Sequence, residues 1–147
     1  ARWPERPQVV FSTEPRPAAL PPGLYARRPS LAGVRTLYSR ARIWLLASHT
    51  EGLPGPVLEA MACGAVVIST DNDGSAALIR DGENGLLVGK GDYDAFLDRI
   101  DRVWRDPALH ARLAEAGRRT VQRFTWANAA DRMEAFLASL DVLQPVS

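Results

Sequence analysis

The sequence has little cysteine, little net charge and no long apolar run, and each scarcity excludes a class of protein. Cys63 is the single cysteine in 147 residues, so no internal disulfide can form and the chain suits a reducing compartment. We therefore expect a cytoplasmic location. The formal net charge of +1 provides no long-range field to attract nucleic acid, and we exclude nucleic acid as a partner.

The longest apolar runs have the length of β-strands. They fall well short of the roughly 20 residues that a helix needs to span a bilayer. Residues 1–30 also lack the apolar core of a signal peptide. We expect any membrane contact to be peripheral, at the inner face of the membrane.

Clusters of metal-binding side chains are missing as well. His49 and His110 have no Cys, His or carboxylate neighbour at metal-ligand spacing, so we predict no metal site and no cofactor. Asp71 and Asp73 have a spacing found in calcium loops. Such a loop also requires a glycine and a terminal glutamate at fixed positions. Both are absent there, so we do not predict a calcium site.

The apolar pattern predicts one domain of alternating strands and helices. With 46% hydrophobic and 24% charged residues, the composition is that of an ordinary globular domain. Five strand-sized runs are present, at 8–12, 24–26, 43–47, 65–69 and 86–88. Helical periodicity separates the later runs. We predict an α/β, Rossmann-like fold: one parallel sheet of about five strands with helices on both faces.

Capping residues and prolines predict where several helices begin and end. Ser30 and Thr125 are suited to cap helices that follow them, and Asp106-Pro107 separates two helices in the second half of the chain. A short helix is predicted at 75–80. The proline-rich segment 13–23 is predicted to be a long irregular loop.

The stretch 51–64 contains two carboxylates eight positions apart, Glu51 and Glu59. Two glycines and two prolines lie between them, so one continuous helix cannot carry both. Glu51 is therefore predicted on a loop. Pro56 suits the first position of a helix that Gly55 precedes, which places Glu59 in the first turn.

The start of this helix is predicted to attract an anion. Val57 and Leu58 would present unpaired backbone N–H groups there. The loop that bears Glu51 follows a strand, and ligands of open parallel sheets bind beyond the carboxyl ends of the strands. Carboxylates accept hydrogen bonds from hydroxyls. The combination points to a ligand with both hydroxyls and phosphate, such as a nucleotide sugar.

These residues resemble the E-x7-E element of the retaining glycosyltransferases of family four, which have the GT-B fold. The resemblance continues through residues 60–67, 80–88 and 123–126 and covers roughly residues 30–140. It implies that the chain is the C-terminal, donor-binding half of such an enzyme. The substrate implied is a nucleoside-diphosphate sugar.

The resemblance also implies roles for individual residues. Glu51 would be the catalytic residue and would hold hydroxyls of the donor sugar, while Glu59 would accept hydrogen bonds from the ribose. The implied donor site comprises Glu51, Gly52, Leu53, Pro54, Gly55, Val57 and Glu59. The nucleobase lies near the loop after the second strand in similar enzymes, and the matching residues here are Tyr25, Ala26, Arg27 and Arg28.

A complete GT-B enzyme has two Rossmann-like halves and needs roughly 300 residues or more. Residues 1–124 are expected to form a partial nucleotide-sugar-binding domain. Residues 125–147 are expected to form a closing helix that crosses back to a missing N-terminal domain. The acceptor would be a hydroxyl of a sugar, lipid or other molecule. We expect this fragment to be inactive alone.

Three positions depart from the family pattern. Asp73 and Ala77 stand where relatives usually have a glycine and a glutamate, and Pro54 stands where they often have a glycine. Proline has no N–H for a phosphate. Separately from these departures, two alternatives stay open: a catalytically silent nucleotide-sugar-binding module, and a nucleotide-sugar epimerase on the same scaffold.

Overall fold

The computed structural model describes residues 7–140. Residues 1–6, and residues 141–147 at the end of the predicted 125–147 segment, lie outside the described residues. The strands are β1 (Val10–Ser12), β2 (Tyr25–Arg27), β3 (Ile43–Leu46), β4 (Val66–Thr70) and β5 (Leu86–Val88). The helices are α1 (Leu31–Arg40), α2 (Gly55–Ala62), α3 (Asp73–Ala76), α4 (Tyr93–Arg105), α5 (Pro107–Val121) and α6 (Trp126–Ser139), with a short 3-10 helix at Pro22–Leu24.

The strands are parallel but form two sheets. β1 pairs with β2, and β4 lies between β3 and β5 in a second sheet. The α/β class with parallel strands is confirmed, whereas the prediction of one continuous sheet is wrong for the described residues. An apolar pattern indicates that a strand exists, but it does not specify which strand edges pair.

Aromatic side chains connect the two sheets. The Phe11 ring on β1 meets the Tyr38 ring of α1 edge-on at 5.8 Å between centroids. The Tyr38 ring lies 6.1 Å from that of Trp44 on β3. α1 therefore joins β1 to β3 through side-chain packing.

Strand β4 carries the core on both of its faces. Val66 and Ile68 pack into a cluster with residues of α4 and α5, whereas Val67 packs into a second cluster with residues of α1 and α2. Successive side chains of a strand point to opposite faces, which explains this division. Helices cover both faces of β4, as predicted.

Side-chain caps define most of the predicted helix starts. The Ser30 hydroxyl accepts from the Gly33 amide at 3.2 Å, and the Thr125 hydroxyl accepts from the Asn128 amide at 3.2 Å. Asp106 ends α4 and caps α5. These predictions are confirmed.

Helix α3 begins and ends earlier than predicted. Its cap is Asn72, whose side-chain oxygen accepts from the Ser75 amide at 2.9 Å. The capping bond starts the helix at Asp73, so the predicted span 75–80 is wrong.

Helix α6 stands apart from the rest of the described chain. All of its side chains are exposed, including the apolar residues Met133, Phe136 and Leu137. None of its residues is buried. Of the helices within residues 7–140, none has the length and apolar character needed to cross a membrane.

One leucine from α5 and one from α6 provide a matched test of this arrangement. Leu113 is fully buried and Leu137 is 47% exposed. We expect Leu113→Ala to lower the free energy of unfolding by about 2–5 kcal/mol, because it leaves a cavity in the core. Leu137→Ala should change it by less than about 0.5 kcal/mol. Urea unfolding of both variants measures the difference, and equal losses would contradict the described packing.

Candidate functional site

Polar side chains hold together the loops that follow β3 and β4. The Asn72 amide nitrogen donates to the Ser48 carbonyl at 3.0 Å, and the Thr70 hydroxyl donates to the Leu46 carbonyl at 3.4 Å. Asn72 is only 3% exposed, so its bond to Ser48 is shielded from water. The two loops therefore form one connected edge at the carboxyl ends of the strands.

Gly74 lies directly against the loop that bears Glu51. A Cβ atom added at Gly74 would lie 1.8 Å from the Gly52 carbonyl oxygen and 2.6 Å from the Glu51 carbonyl oxygen. Only glycine permits this approach of two backbone segments. Beneath it, the buried hydroxyls of Ser69 and Ser75 are hydrogen-bonded at 2.8 Å.

Sequence reasoning missed Gly74. The comparison with the family pattern considered Asp73 and Ala77 in this segment and found departures at both. The sequence does show a glycine as the second residue after Asn72, a residue suited to cap a helix. Its close approach to another loop, however, is seen only in the structure.

The start of α2 differs from the prediction by one residue. Pro54 is the N-cap, Gly55 is the first helical residue and Pro56 the second. The Val57 amide donates to the Pro54 carbonyl at 3.0 Å and is therefore not an unpaired donor. Because the helix starts earlier, Glu59 lies beyond the first turn.

The residues predicted to surround the diphosphate divide into two groups. Gly52 and Gly55 are exposed, and Leu53 is 62% exposed. Pro54 and Val57 are buried and contribute to packing. Pro54 and Pro56 have no N–H, so the start of α2 has fewer amide donors than an ordinary helix start.

The two carboxylates are both open to solvent. Glu51 is partly exposed on the loop, and Glu59 is exposed on α2. The neighbouring Tyr38 hydroxyl is buried, and this burial raises its pKa above the ordinary value. The negative charge of Glu59 raises that pKa further.

The predicted nucleobase segment is β2 itself, Tyr25–Arg27, together with Arg28, which follows the strand. The Tyr25 hydroxyl donates to the Glu14 carbonyl at 2.6 Å, and the Arg28 Nε atom donates to the Thr13 carbonyl at 3.1 Å. Arg28 adopts a left-handed backbone with φ of 46°. Tyr25, Ala26 and Arg27 belong to a different sheet from the loop of Glu51.

A basic cleft of about 280 Å³ lies away from these residues. Its lining includes Arg80, Arg119 and Arg123, with one acidic residue, Glu83, and the polar residues Asn84 and Thr120. The Asn84 amide nitrogen donates to the Thr120 hydroxyl at 2.9 Å. Since residues 80–84 precede β5, the cleft lies at the amino edge of the sheet, opposite to the edge of Glu51.

No group of three or more His, Cys, Asp or Glu side chains within residues 7–140 is arranged to hold a metal ion. The His110 Nε2 atom lies 3.0 Å from the Arg42 carbonyl oxygen, where it joins α5 to the start of β3. This contact is structural.

Comparison with known proteins adds to this geometry. The chain is 38% identical over 94 residues to the lipopolysaccharide core biosynthesis glycosyltransferase LpsE of Rhizobium meliloti, covering 64% of the chain and 26% of that protein. It resembles the C-terminal domain of the group 1 glycosyl transferase LpcC of Francisella tularensis, with TM-score 0.62 and 29% identity. That match covers 69% of this chain and 53% of the other.

A third comparison concerns the fold alone. The HepE protein of Anabaena, solved in complex with UDP, has TM-score 0.71 and 22% identity, with 79% of this chain and 32% of that chain covered. The present chain spans less than a third of the length of the curated relatives it matches first.

Residues 29–120 match the family described as glycosyl transferases group 1, and this match contains both Glu51 and Glu59. More than half of the chain lies within it. The chain therefore belongs to the group 1 glycosyl transferases, and its fold is that of their C-terminal, Rossmann-like GT-B domain.

Proposed function

We propose that this chain binds the nucleoside-diphosphate-sugar donor of a retaining glycosyltransferase of family four. The observation that carries the proposal is the contact of Gly74 with the backbone of residues 51–52, which holds the Glu51 loop at the carboxyl edge of the sheet. Ligands of open parallel sheets bind at this edge. UDP binding by the similarly folded HepE supports the choice of ligand.

Glu51 is the residue that we assign to the sugar. Its carboxylate can only accept hydrogen bonds, which suits sugar hydroxyls. Glu51 would hold the sugar in place as positive charge develops at the anomeric carbon, and the negative charge of its carboxylate would stabilise that positive charge. The acceptor oxygen then bonds to this carbon as the bond to the diphosphate breaks, and the departing diphosphate takes the proton of the acceptor hydroxyl.

Glu59 and the exposed backbone of the loop are assigned to the nucleotide. The Glu59 carboxylate would accept from the ribose hydroxyls. The backbone of Gly52, Leu53 and Gly55, all exposed, would approach the diphosphate. Tyr25 to Arg28 would contact the nucleobase from the end of β2, where hydrogen bonds to residues 13–14 hold the segment in place.

The activity of the whole protein needs a second domain. We propose that α6 packs its apolar stripe against that N-terminal half, since all of its side chains are exposed here. The acceptor hydroxyl would belong to a polysaccharide, a glycolipid or another glycoconjugate, and the reaction would take place in the cytoplasm or at the inner face of the membrane. The chain by itself would bind the donor without transferring the sugar.

Titration of the isotopically labelled chain with UDP and with GDP tests donor binding. We expect chemical-shift changes centred on residues 51–59 and a dissociation constant of about 1 mM, equivalent to about −4 kcal/mol. The weak affinity follows from the absence of the second domain wall. Changes confined to other regions, or no response to either nucleotide, would contradict the proposal.

Gly74→Ala should weaken this nucleotide binding by about tenfold or more, because its methyl group would displace the Glu51 loop. Gly89→Ala is the matched control. A Cβ at Gly89 meets only the Asp92 side chain, at 3.9 Å. Equal nucleotide affinities of the two variants, measured by the same titration, would show that the position of the Glu51 loop does not matter for nucleotide binding.

Kinetics of the full-length enzyme separate the roles of the two glutamates. Glu59→Ala should raise KM for the donor with less effect on kcat, because ribose contacts are equally strong in the ground and transition states. Glu51→Ala should lower kcat by roughly 100-fold or more, because it acts beside the breaking bond. Release of the nucleoside diphosphate measures both constants. Near-native kcat for Glu51→Ala would remove its catalytic assignment, and unfolding of either variant would indicate a structural role.

Phe136→Asp tests the docking of α6. Phe136 is 57% exposed, so the substitution should leave the Tm of the present chain nearly unchanged. In the full-length enzyme it should lower the Tm, because a charge would be buried at the domain interface. Calorimetry of both proteins checks this. An unchanged Tm in the full-length enzyme would rule out the proposed docking.

A further inference from the structure

The loop that bears Glu51 has little packing of its own. This Glu51 loop comprises residues 47–54, between the end of β3 and the start of α2. Most of these residues are exposed, and Pro54 is the one that is buried. A Cβ atom added at Gly52 would meet nothing within 4 Å, so open space lies beside this residue. A loop with so few apolar contacts moves readily unless polar bonds hold it.

One side chain from another element is hydrogen-bonded to this loop. Among residues 7–140, side-chain hydrogen bonds from other elements reach the loop at a single point, where the Asn72 amide nitrogen donates to the Ser48 carbonyl at 3.0 Å. The nearby bond from Thr70 ends at Leu46, which still belongs to β3. The loop is therefore tethered at Ser48, close in sequence to Glu51.

The Asn72 side chain is also held at its other polar atom. Its oxygen accepts from the Ser75 amide at 2.9 Å and thereby caps α3. An asparagine amide has one acceptor atom and one donor atom, so a single side chain serves both the helix and the loop. Asn72 is only 3% exposed, and water does not compete with these bonds. The start of α3 thus fixes the position of the Ser48 carbonyl.

We propose that Asn72 is a positioning residue that holds the Glu51 loop in place for the sugar and the diphosphate of the donor. The inference rests on the proposed donor-binding function. Ordering a loop when a ligand binds costs free energy, and a loop that is already held avoids this cost. Gly74 leaves room for the loop, whereas Asn72 supplies the hydrogen bond that keeps it there.

Asn72→Ser separates the two roles of this side chain. Serine is a good N-cap residue and keeps an oxygen for the Ser75 amide. Its side chain is shorter and does not reach the Ser48 carbonyl. We therefore expect amide hydrogen exchange of residues 49–53 to become faster in this variant, while exchange in α3 changes little. Unchanged exchange in the loop would overturn the proposed tether.

Asn84→Ser is the matched control. Asn84 is 7% exposed, and its amide nitrogen donates to the Leu78 carbonyl at 3.0 Å and to the Thr120 hydroxyl at 2.9 Å. Its oxygen accepts from the Arg80 amide at 2.8 Å. The two asparagines therefore have similar burial and similar bonds, but Asn84 lies at the amino edge of the sheet. Thermal unfolding of both variants verifies that each is folded.

Nucleotide titration of the present chain measures the effect on binding. With UDP, or with GDP if UDP gives no response, Asn72→Ser should weaken binding by about fivefold, the size expected for one lost hydrogen bond. Asn84→Ser should bind as tightly as the wild type. A general effect of losing a buried asparagine would instead weaken binding equally in both variants.

Kinetics of the full-length enzyme test whether Asn72 acts through Glu51. Asn72→Ser should lower kcat by about tenfold, because a small displacement of a group beside the reacting bond is costly. In the Glu51→Ala background the same substitution should cause no further loss of kcat, since the carboxylate that it positions is gone. A merely structural role would lower kcat by the same factor in both backgrounds.

The outcomes separate this inference from the function on which it rests. If the wild type binds neither nucleotide, the donor-binding proposal fails, and this inference fails with it. If the wild type binds and Asn72→Ser binds as tightly, only the positioning role is overturned. Equal losses in Asn72→Ser and Asn84→Ser would overturn it as well.

Discussion

The complete burial of β4 is the constraint on which the rest of the structure depends. Each of its five residues is at most 2% exposed, and the alternating side chains supply both hydrophobic clusters. A short strand buried on both faces must have helices on both sides and strands on both edges. The loops that follow β3 and β4 are therefore brought side by side, and the candidate site lies where they meet.

The site is assembled mainly by backbone contact and buried polar bonds. Gly74 permits the approach of the Glu51 loop, and Asn72 connects α3 to the loop after β3. The contacts that hold the loops in place do not involve the side chains of Glu51 and Glu59, which are accessible to solvent. Such a separation allows functional side chains to change while the loops keep their positions. It also explains how one scaffold can serve enzymes with different donors and acceptors.

Local patterns in the sequence predicted the local features of the structure. Apolar runs predicted the five strands, and the caps at Ser30, Asp106 and Thr125 predicted helix ends, because these signals act over a few residues. The split into two sheets, the approach of Gly74 and the edge-on contact of Phe11 with Tyr38 depend on residues far apart in the chain. The start of α2 was misplaced by one residue because two prolines compete for the same role. The roles of Glu51 and Glu59 stay predictions.

The exposure of α6 affects how well its amide protons are protected from exchange with solvent. A helix of 14 residues is marginal in water unless other elements pack on it, and here the supports at its start are the Thr125 cap and a bond from Asn128 to the Arg123 carbonyl. Its amide protons should therefore exchange with solvent far faster than those of β4. Among the described helices, α6 would be the last to gain protection.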